Sequence, residues 1–232
     1  MKGAFITGTD TGVGKTRIAT ALVEALVRDG LRVAVMKPVA AGATSTVDGL
    51  RNDDAVALIR ASNVRAPYEL VNPYCAELPA SPHIALAKDG IIADLAYITR
   101  KAHELAEDAD LLIVEGAGGW HAPLSDAHTL ADVAAALDLP VLLVVGLRLG
   151  CLNHALLTAE AIERSGLEFA GWVANCVQPQ FEHSRENIAT LEQRLPAPLL
   201  DVVQHDAQAF ILRGAVDALR SALGTRRETH AP

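Results

Sequence analysis

Gly8-Thr9-Asp10-Thr11-Gly12-Val13-Gly14-Lys15-Thr16 is the stretch from which the rest of the chain can be placed. Before it, Gly3-Ala4-Phe5-Ile6-Thr7 is a short apolar run suited to a buried strand, and after it Ile18, Leu22, Ala25 and Leu26 recur at helical spacing. A glycine-rich loop between a strand and a helix turns successive N–H groups toward one point. The helix N-terminus adds the positive end of its dipole, so an anion is drawn there. Lys15 is placed to reach β- and γ-phosphates and the Thr16 hydroxyl to ligate magnesium, which is the P-loop arrangement. The usual pattern G-x-x-x-x-G-K-[ST] would put its first glycine at Thr9, so this loop runs one residue longer, from Gly8.

The chain has 232 residues, half of them hydrophobic but only 4% aromatic, so its core must be built from Ala, Val, Leu and Ile, as in parallel sheets covered by helices. We therefore expect an α/β fold, a doubly wound, mostly parallel sheet flanked by helices. Residues 1–223 should form a single P-loop domain, because no linker-like tract divides them, and residues 224–232 read as a frayed polar tail. A net charge of −8 disfavours nucleic acid as a partner, since a phosphate-backbone footprint needs clustered Lys and Arg. The three cysteines, Cys75, Cys151 and Cys176, are scattered without metal-ligand spacing, and the N-terminus carries no signal peptide. A reducing cytoplasm is the expected setting. The longest apolar run, Leu139 to Leu147, is too short to cross a bilayer, so no membrane association is expected.

Along the chain, Asp29-Gly30 is a helix stop, and Leu31 to Met36 reads as a strand expected to lie beside the P-loop strand. It delivers Lys37 at its carboxyl end, where α/β sheets place their chemistry. Asn52-Asp53-Asp54 supplies a helix cap before Ala55 to Arg60; two adjacent acids there also suggest that one faces the metal. Residues 66–83 read as a proline-rich loop, and the run Ser81-Pro82-His83 receives no chemistry. After a helix over Ile92 to Ala106, Leu111-Leu112-Ile113-Val114-Glu115 is a buried strand ending in an acid, followed by the glycine turn Gly116-Ala117-Gly118-Gly119, a Walker-B-like arrangement suited to a magnesium shell. Leu130 to Leu137 is helical and Val141 to Val145 a strand. The turn from Gly146 to Asn153 leads into a helix holding His154, Leu157, Ala161 and Ile162, whose N-terminus could receive an anion. The strand Phe169 to Ala174 ends at Asn175-Cys176, where the asparagine is either a turn residue or a donor and acceptor toward an adenine edge. Leu199 to Val203 is the last strand.

Taken together these blocks resemble the dethiobiotin synthetase family. The resemblance rests on Thr7 to Thr11 with Val13 to Thr16, Lys37-Pro38-Val39, Asn72-Pro73-Tyr74, Ser81-Pro82-His83, Val114 to Gly119, Leu149 to His154 and Gly171 to Asn175, which cover most of the chain. It implies ATP-dependent closure of a ureido ring on 7,8-diaminopelargonate with CO2, through a carbamate and its phosphoric anhydride, in a homodimer with active sites at the interface. It also implies roles for particular residues. Thr16, Asp54 and Glu115 would hold Mg2+, while Thr11, Lys15 and Lys37 would contact the reacting groups. Gly12, Val13, Gly14, Lys15, Thr16 and Arg17 would line ATP, with Asp54, Glu115, Gly116, Ala117 and Gly118, and Asn175, Cys176 and Gln204 would surround its base. Thr11, Lys37, Ala41, Gly118, Gly150, Cys151, Leu152 and Asn153 would face the substrate. Four positions depart from the family pattern: Ala41 replaces a Ser that contacts substrate, Cys176 an Asp, Gln204 a Pro, and Asn187 a Tyr that reaches the substrate carboxylate.

Two other readings share the scaffold. A regulatory or partitioning ATPase with a deviant P-loop would carry a signature Lys where this chain has Asp10, followed by Gly where it has Thr11. A synthetase-like amidotransferase domain would need a glutaminase region that 232 residues leave no room for.

Overall fold

The structure, a computed structural model, describes residues 1–222 apart from 206, 208 and 209. The tail expected at 224–232 lies outside the described residues. In chain order the elements are β1 (Gly3–Gly8), α1 (Lys15–Arg28), β2 (Val33–Met36), β3 (Val39–Ala41), β4 (Thr44–Thr46), β5 (Gly49–Arg51), α2 (Asp53–Ala61), α3 (Tyr68–Val71), β6 (Tyr74–Ala76), α4 (Pro82–Lys88), α5 (Leu95–Ala106), β7 (Leu111–Glu115), α6 (Leu130–Leu137), β8 (Val141–Leu147), α7 (Cys151–Arg164), β9 (Phe169–Cys176), α8 (Ser184–Arg194), β10 (Leu199–Val203) and α9 (Arg213–Ala222).

A six-stranded sheet in the order β10-β9-β8-β1-β7-β2 forms the centre, with every pairing parallel. β1, β7 and β8 are buried along their whole length, which explains why they read as continuous apolar runs rather than alternating ones. Ile18, Leu22, Ala25 and Leu26, the periodic positions of α1, are all buried in one core with Phe5, Ile113 and Val144.

Strand order corrects one expectation. β2 does not neighbour β1, because β7 is inserted between them, pairing Ile6 with Glu115 on one side and Met36 with Val114 on the other. Chain neighbours are thus not sheet neighbours here, and the acid-bearing strand separates the phosphate loop from Lys37. The segment 66–83 is also more ordered than a loop. It holds the single-turn α3, the three-residue β6 paired with β3, and the start of α4 at Pro82. Each piece is too short to show a period. A third correction concerns β8, which runs to Leu147, so that α7 begins at Cys151 with Gly150 as its N-cap at φ 93°. Leu152 and Asn153 therefore lie inside the first turn rather than at the cap.

Candidate active site

The carboxyl ends of β1, β7 and β2 open into a cleft of about 750 Å3 whose floor is the glycine loop and whose far wall is Pro79, Ser81 and Pro82. The segment whose chemistry sequence left unassigned is therefore part of the enclosure, supplied by Ser81 and Pro82. Thr11, Gly12, Gly14, Lys15, Thr16, Lys37, Ala41, Asp54, Glu115, Ala117 and Gly118 all line this cleft. Asn175, Cys176 and Gln204 are not among its walls; they lie on the opposite side of the loop, where Arg17 reaches Asn175 and Gln204, and Cys176 reaches Gln204.

Lys37 is the hub. Its ammonium donates to Glu115 Oε1 at 2.6 Å, to Asp54 Oδ2 at 2.8 Å and to the Gly116 carbonyl at 3.2 Å, while its side chain is only 3% exposed. Burial works against the charged form, but the Glu115 and Asp54 carboxylates outweigh it and hold the lysine above its ordinary pKa. Burial opposes the Asp54 charge as well, yet Lys37 keeps that carboxyl below its ordinary value. On the other flank the Thr16 hydroxyl donates to the same Glu115 Oε1 at 2.8 Å.

This oxygen set fits a divalent cation. Glu115 Oε2 is buried without a hydrogen-bond partner among the described residues, a costly state unless a cation or donor satisfies it. Among the described residues there is no cluster of three or more His, Cys, Asp or Glu side chains able to cage a metal unaided. Two carboxylates and a hydroxyl are what Mg2+ needs from a protein when phosphate oxygens and water complete its octahedron.

Lys15 is buried too, and its ammonium rests on the Asp10 carbonyl at 3.0 Å. Burial, followed by the like charge of Lys37, lowers its pKa to about 8. Asp10 itself accepts from the Thr11 N–H at 2.7 Å and is paired with Arg148, which follows β8, so the position where a partitioning ATPase would carry its signature lysine holds an acid with its own counter-ion. Nothing in the sequence pointed to Arg148.

Asn175 braces the loop from behind. Its Nδ2 donates to the Val13 carbonyl at 2.8 Å, and its Oδ1 accepts from Arg17 at 3.2 Å. A Cβ on Gly14, where φ is 91°, would lie 2.2 Å from that Nδ2, so only glycine permits the contact. Arg17 also donates to the carbonyls of Gln204 (3.0 Å) and Ala207 (2.7 Å), and its guanidinium lies 4.9 Å from the centre of the Phe210 ring. Two departures from the family pattern meet here, with Cys176 Sγ 3.8 Å from Gln204 Oε1. Another touches the start of α7, where Cys151 Sγ donates to Asn187 Oδ1 at 3.6 Å. Gly150 and Asn153 are exposed, Leu152 half-buried and Cys151 buried.

Known proteins resemble this chain in sequence and in fold. A protein-family profile described as an AAA domain matches residues 2–209. The chain is 50% identical over 205 residues to the ATP-dependent dethiobiotin synthetase BioD of Vibrio vulnificus strain YJ016, covering 88% of this chain and 90% of that protein. It is 51% identical over 201 residues to the enzyme of the same name from Pseudomonas aeruginosa, covering 86% and 88%. Among solved structures, the MinD cell division protein of Aquifex aeolicus superposes with a TM-score of 0.59 at 13% identity, covering 97% of this chain and 98% of that one. The cell division ATPase MinD of Pyrococcus furiosus gives 0.54 at 16% identity, covering 96% of this chain and 98% of that one. At such identities the structural likeness establishes the P-loop nucleotide-hydrolase fold and no more.

Proposed function

The chain belongs to the dethiobiotin synthetase family and is an ATP-dependent ligase of biotin biosynthesis, and from that premise we propose that it joins CO2 to both amines of 7,8-diaminopelargonate. One amine adds to CO2 to give a carbamate. The carbamate oxygen attacks the γ-phosphorus of ATP, releasing ADP and leaving a carbamic-phosphoric anhydride. The second amine then attacks the anhydride carbonyl and expels phosphate, closing the ureido ring of dethiobiotin. No protein nucleophile is required.

The observation that carries this reading is the convergence of Lys15 and Lys37 on one cleft with Glu115 and Asp54 behind them. Carbamate and triphosphate are both anionic, so bringing them together needs cationic groups already in place, and preorganised charge acts most strongly where water is excluded. Lys15 would hold the β- and γ-phosphates. Lys37 would face the transferring phosphoryl group and the carbamate, with Thr11 at the loop mouth orienting the reacting atoms. Thr16, Asp54 and Glu115 would hold Mg2+, which would offset the charge of the phosphates. Gly12 to Arg17 and Glu115 to Gly118 would enclose ATP, with Asn175, Cys176 and Gln204 near its base, while Ala41 and Gly118 would border diaminopelargonate. The substrate carboxylate needs a separate anion site. The turn opening α7, where Gly150 and Asn153 are exposed, suits it, supplied by the other subunit of a homodimer.

The test is direct. Purified protein with diaminopelargonate, bicarbonate and Mg-ATP should yield dethiobiotin and phosphate in equal amounts, with ATP consumption dependent on the diamine. ATP hydrolysis indifferent to the diamine, without dethiobiotin, would refute the reading.

A further inference from the structure

Behind the Lys37–Asp54 pair lies a second set of polar side chains that neither the glycine loop nor the acid-bearing strand supplies. Tyr68 opens α3, and its hydroxyl stands between two asparagines. It accepts from the backbone N–H of Asn52 at 2.8 Å and donates to Asn72 Oδ1 at 2.9 Å. Asn52 in turn caps α2, its Oδ1 accepting from the N–H groups of Asp54 (3.1 Å) and Ala55 (3.4 Å). Asn72 Nδ2 donates to the carbonyl of Lys37 at 2.7 Å and to that of Tyr74 at 3.1 Å. Both asparagines are buried, so each bond is shielded from competing water.

One hydroxyl thus joins two arms, one ending on the backbone of Lys37 and the other on the helix turn that carries Asp54. Those two residues meet at 2.8 Å. The link adds to what the sheet supplies: among the described residues β2 pairs only with β7, and the residue after it is held on the outer side by its N–H, which donates to the Val71 carbonyl of α3 at 2.8 Å. Burial holds the Tyr68 hydroxyl above the ordinary tyrosine range, so it stays a protonated donor through the neutral and mildly alkaline range.

We propose that Tyr68 is a positioning residue for the reaction, fixing Lys37 and Asp54 relative to each other through Asn72 and Asn52. The proposal rests on the roles assigned above to Lys37 and Asp54. Tyr68→Phe removes one oxygen and leaves the Asn52 N–H and Asn72 Oδ1 unsatisfied. The connection between the two arms is then cut, although the Lys37 N–H still donates to the Val71 carbonyl at 2.8 Å, and loss of outer hydrogen-bond partners changes activity and metal affinity by about 10–100-fold.

The experiment measures kcat, KM for ATP and the Mg2+ dissociation constant of the ADP complex, the last by calorimetry. Tyr68→Phe should lower kcat at least about tenfold with little change in KM, and weaken Mg2+ by a similar factor, while the protein still melts cooperatively. Asn72→Ser should do the same, and the double variant should be no worse than the worse single one, because both lesions cut the same arm. Arg51→Ala, which removes the guanidinium lying 4.1 Å over the Tyr68 ring but spares the hydroxyl, should leave all three constants near wild type. A Tyr68→Phe protein that melts lower yet keeps its kcat and Mg2+ affinity overturns the proposal, as does an Arg51→Ala loss of equal size. If Tyr68→Phe does not fold, normal constants in Asn72→Ser overturn it equally. Lys37→Met assayed in parallel separates the two levels: an active Lys37→Met enzyme refutes the site assignment itself, whereas an inactive one beside a normal Tyr68→Phe refutes only the positioning role.

Discussion

Replacing Lys37 with methionine keeps the volume of the side chain and deletes its charge, which isolates what the ammonium does for Glu115. The carboxylate is fully buried and, among the described residues, Oε2 has no partner and only the Thr16 hydroxyl would still donate to Oε1 after the substitution. Removing one member of a buried ion pair costs about 3–5 kcal/mol. Asp54 adds little, since its side chain is 42% exposed and solvent screens it. Taking the lower end because Thr16 remains, and about 2–4 °C of Tm per kcal/mol for a chain of this size, the melting temperature should fall by about 6–12 °C without magnesium. Millimolar Mg2+ should then recover much of the loss, because the ion can occupy the space between the two carboxylates that the ammonium has left. Wild type, with that space filled, should respond far less. Thermal unfolding followed by circular dichroism with and without Mg2+, both nucleotide-free, reads the effect. A variant melting within about 2 °C of wild type, or one equally indifferent to Mg2+, would refute the view that Lys37 and a divalent cation compete for the same two acids. Turnover in the same variant should fall about two to three orders of magnitude.

Four further outcomes are expected. Lys15, lowered to about 8, carries its charge below that pH and loses it as pH rises through it; a bound triphosphate favours the ammonium, so nucleotide affinity should decline above that pH with uptake of a proton, and calorimetry in buffers of different ionisation enthalpy showing no uptake would disprove this. Asp54→Asn and Glu115→Gln should each raise the Mg2+ needed for half-maximal turnover by about tenfold or more while shifting diaminopelargonate KM much less, and an unchanged Mg2+ titration would return both acids to structural roles. Gly14→Ala should weaken ADP binding by about tenfold or more, since the new Cβ meets Asn175 at 2.2 Å and the backbone is left-handed; unaltered affinity would contradict the bracing contact. Mixing Lys37→Met with Asn153→Asp, after subunit exchange, should restore about a quarter of wild-type activity if each site is shared by two subunits, and none if it lies within one.

What sequence made legible was local. Gly8 to Thr16 declares its loop because phosphate binding constrains consecutive residues, and Glu115 declares itself because a fully apolar strand ends in an acid. Asn52 was readable as a cap for the same reason: the partners of its side chain, Asp54 and Ala55, are two and three residues away. Lys37 was readable as a strand-end lysine, but its place relative to the phosphate loop was not, because strand order is decided by packing and β7 entered between the strands expected to touch. Tyr68 and Arg148 escaped notice, and Asn72 entered only within the Asn72-Pro73-Tyr74 block without a role, because their partners are distant in sequence or are backbone atoms, which leave no pattern of residue types. The helix start at Gly150 was misplaced by three residues because Asn153 is an attractive cap in sequence, whereas the backbone turns at the glycine.

The position of β1 also sets the order in which the molecule can come into being. Its six residues are made well before either of its sheet partners: Gly3 pairs with Leu112 and Phe5 with Val141. A nascent chain that has exposed only its first hundred residues therefore presents the phosphate-binding strand with both edges open, in company with β2, whose own neighbour is also missing. Closing such distant pairings carries a large entropic cost before any contact compensates it, which makes folding slow relative to proteins with local pairings. The loop can clasp a nucleotide only once β7 and β8 have flanked it. ATP should therefore stabilise the finished protein without hastening its early folding steps, and a translation pause after β8 should do more for yield than one after α1.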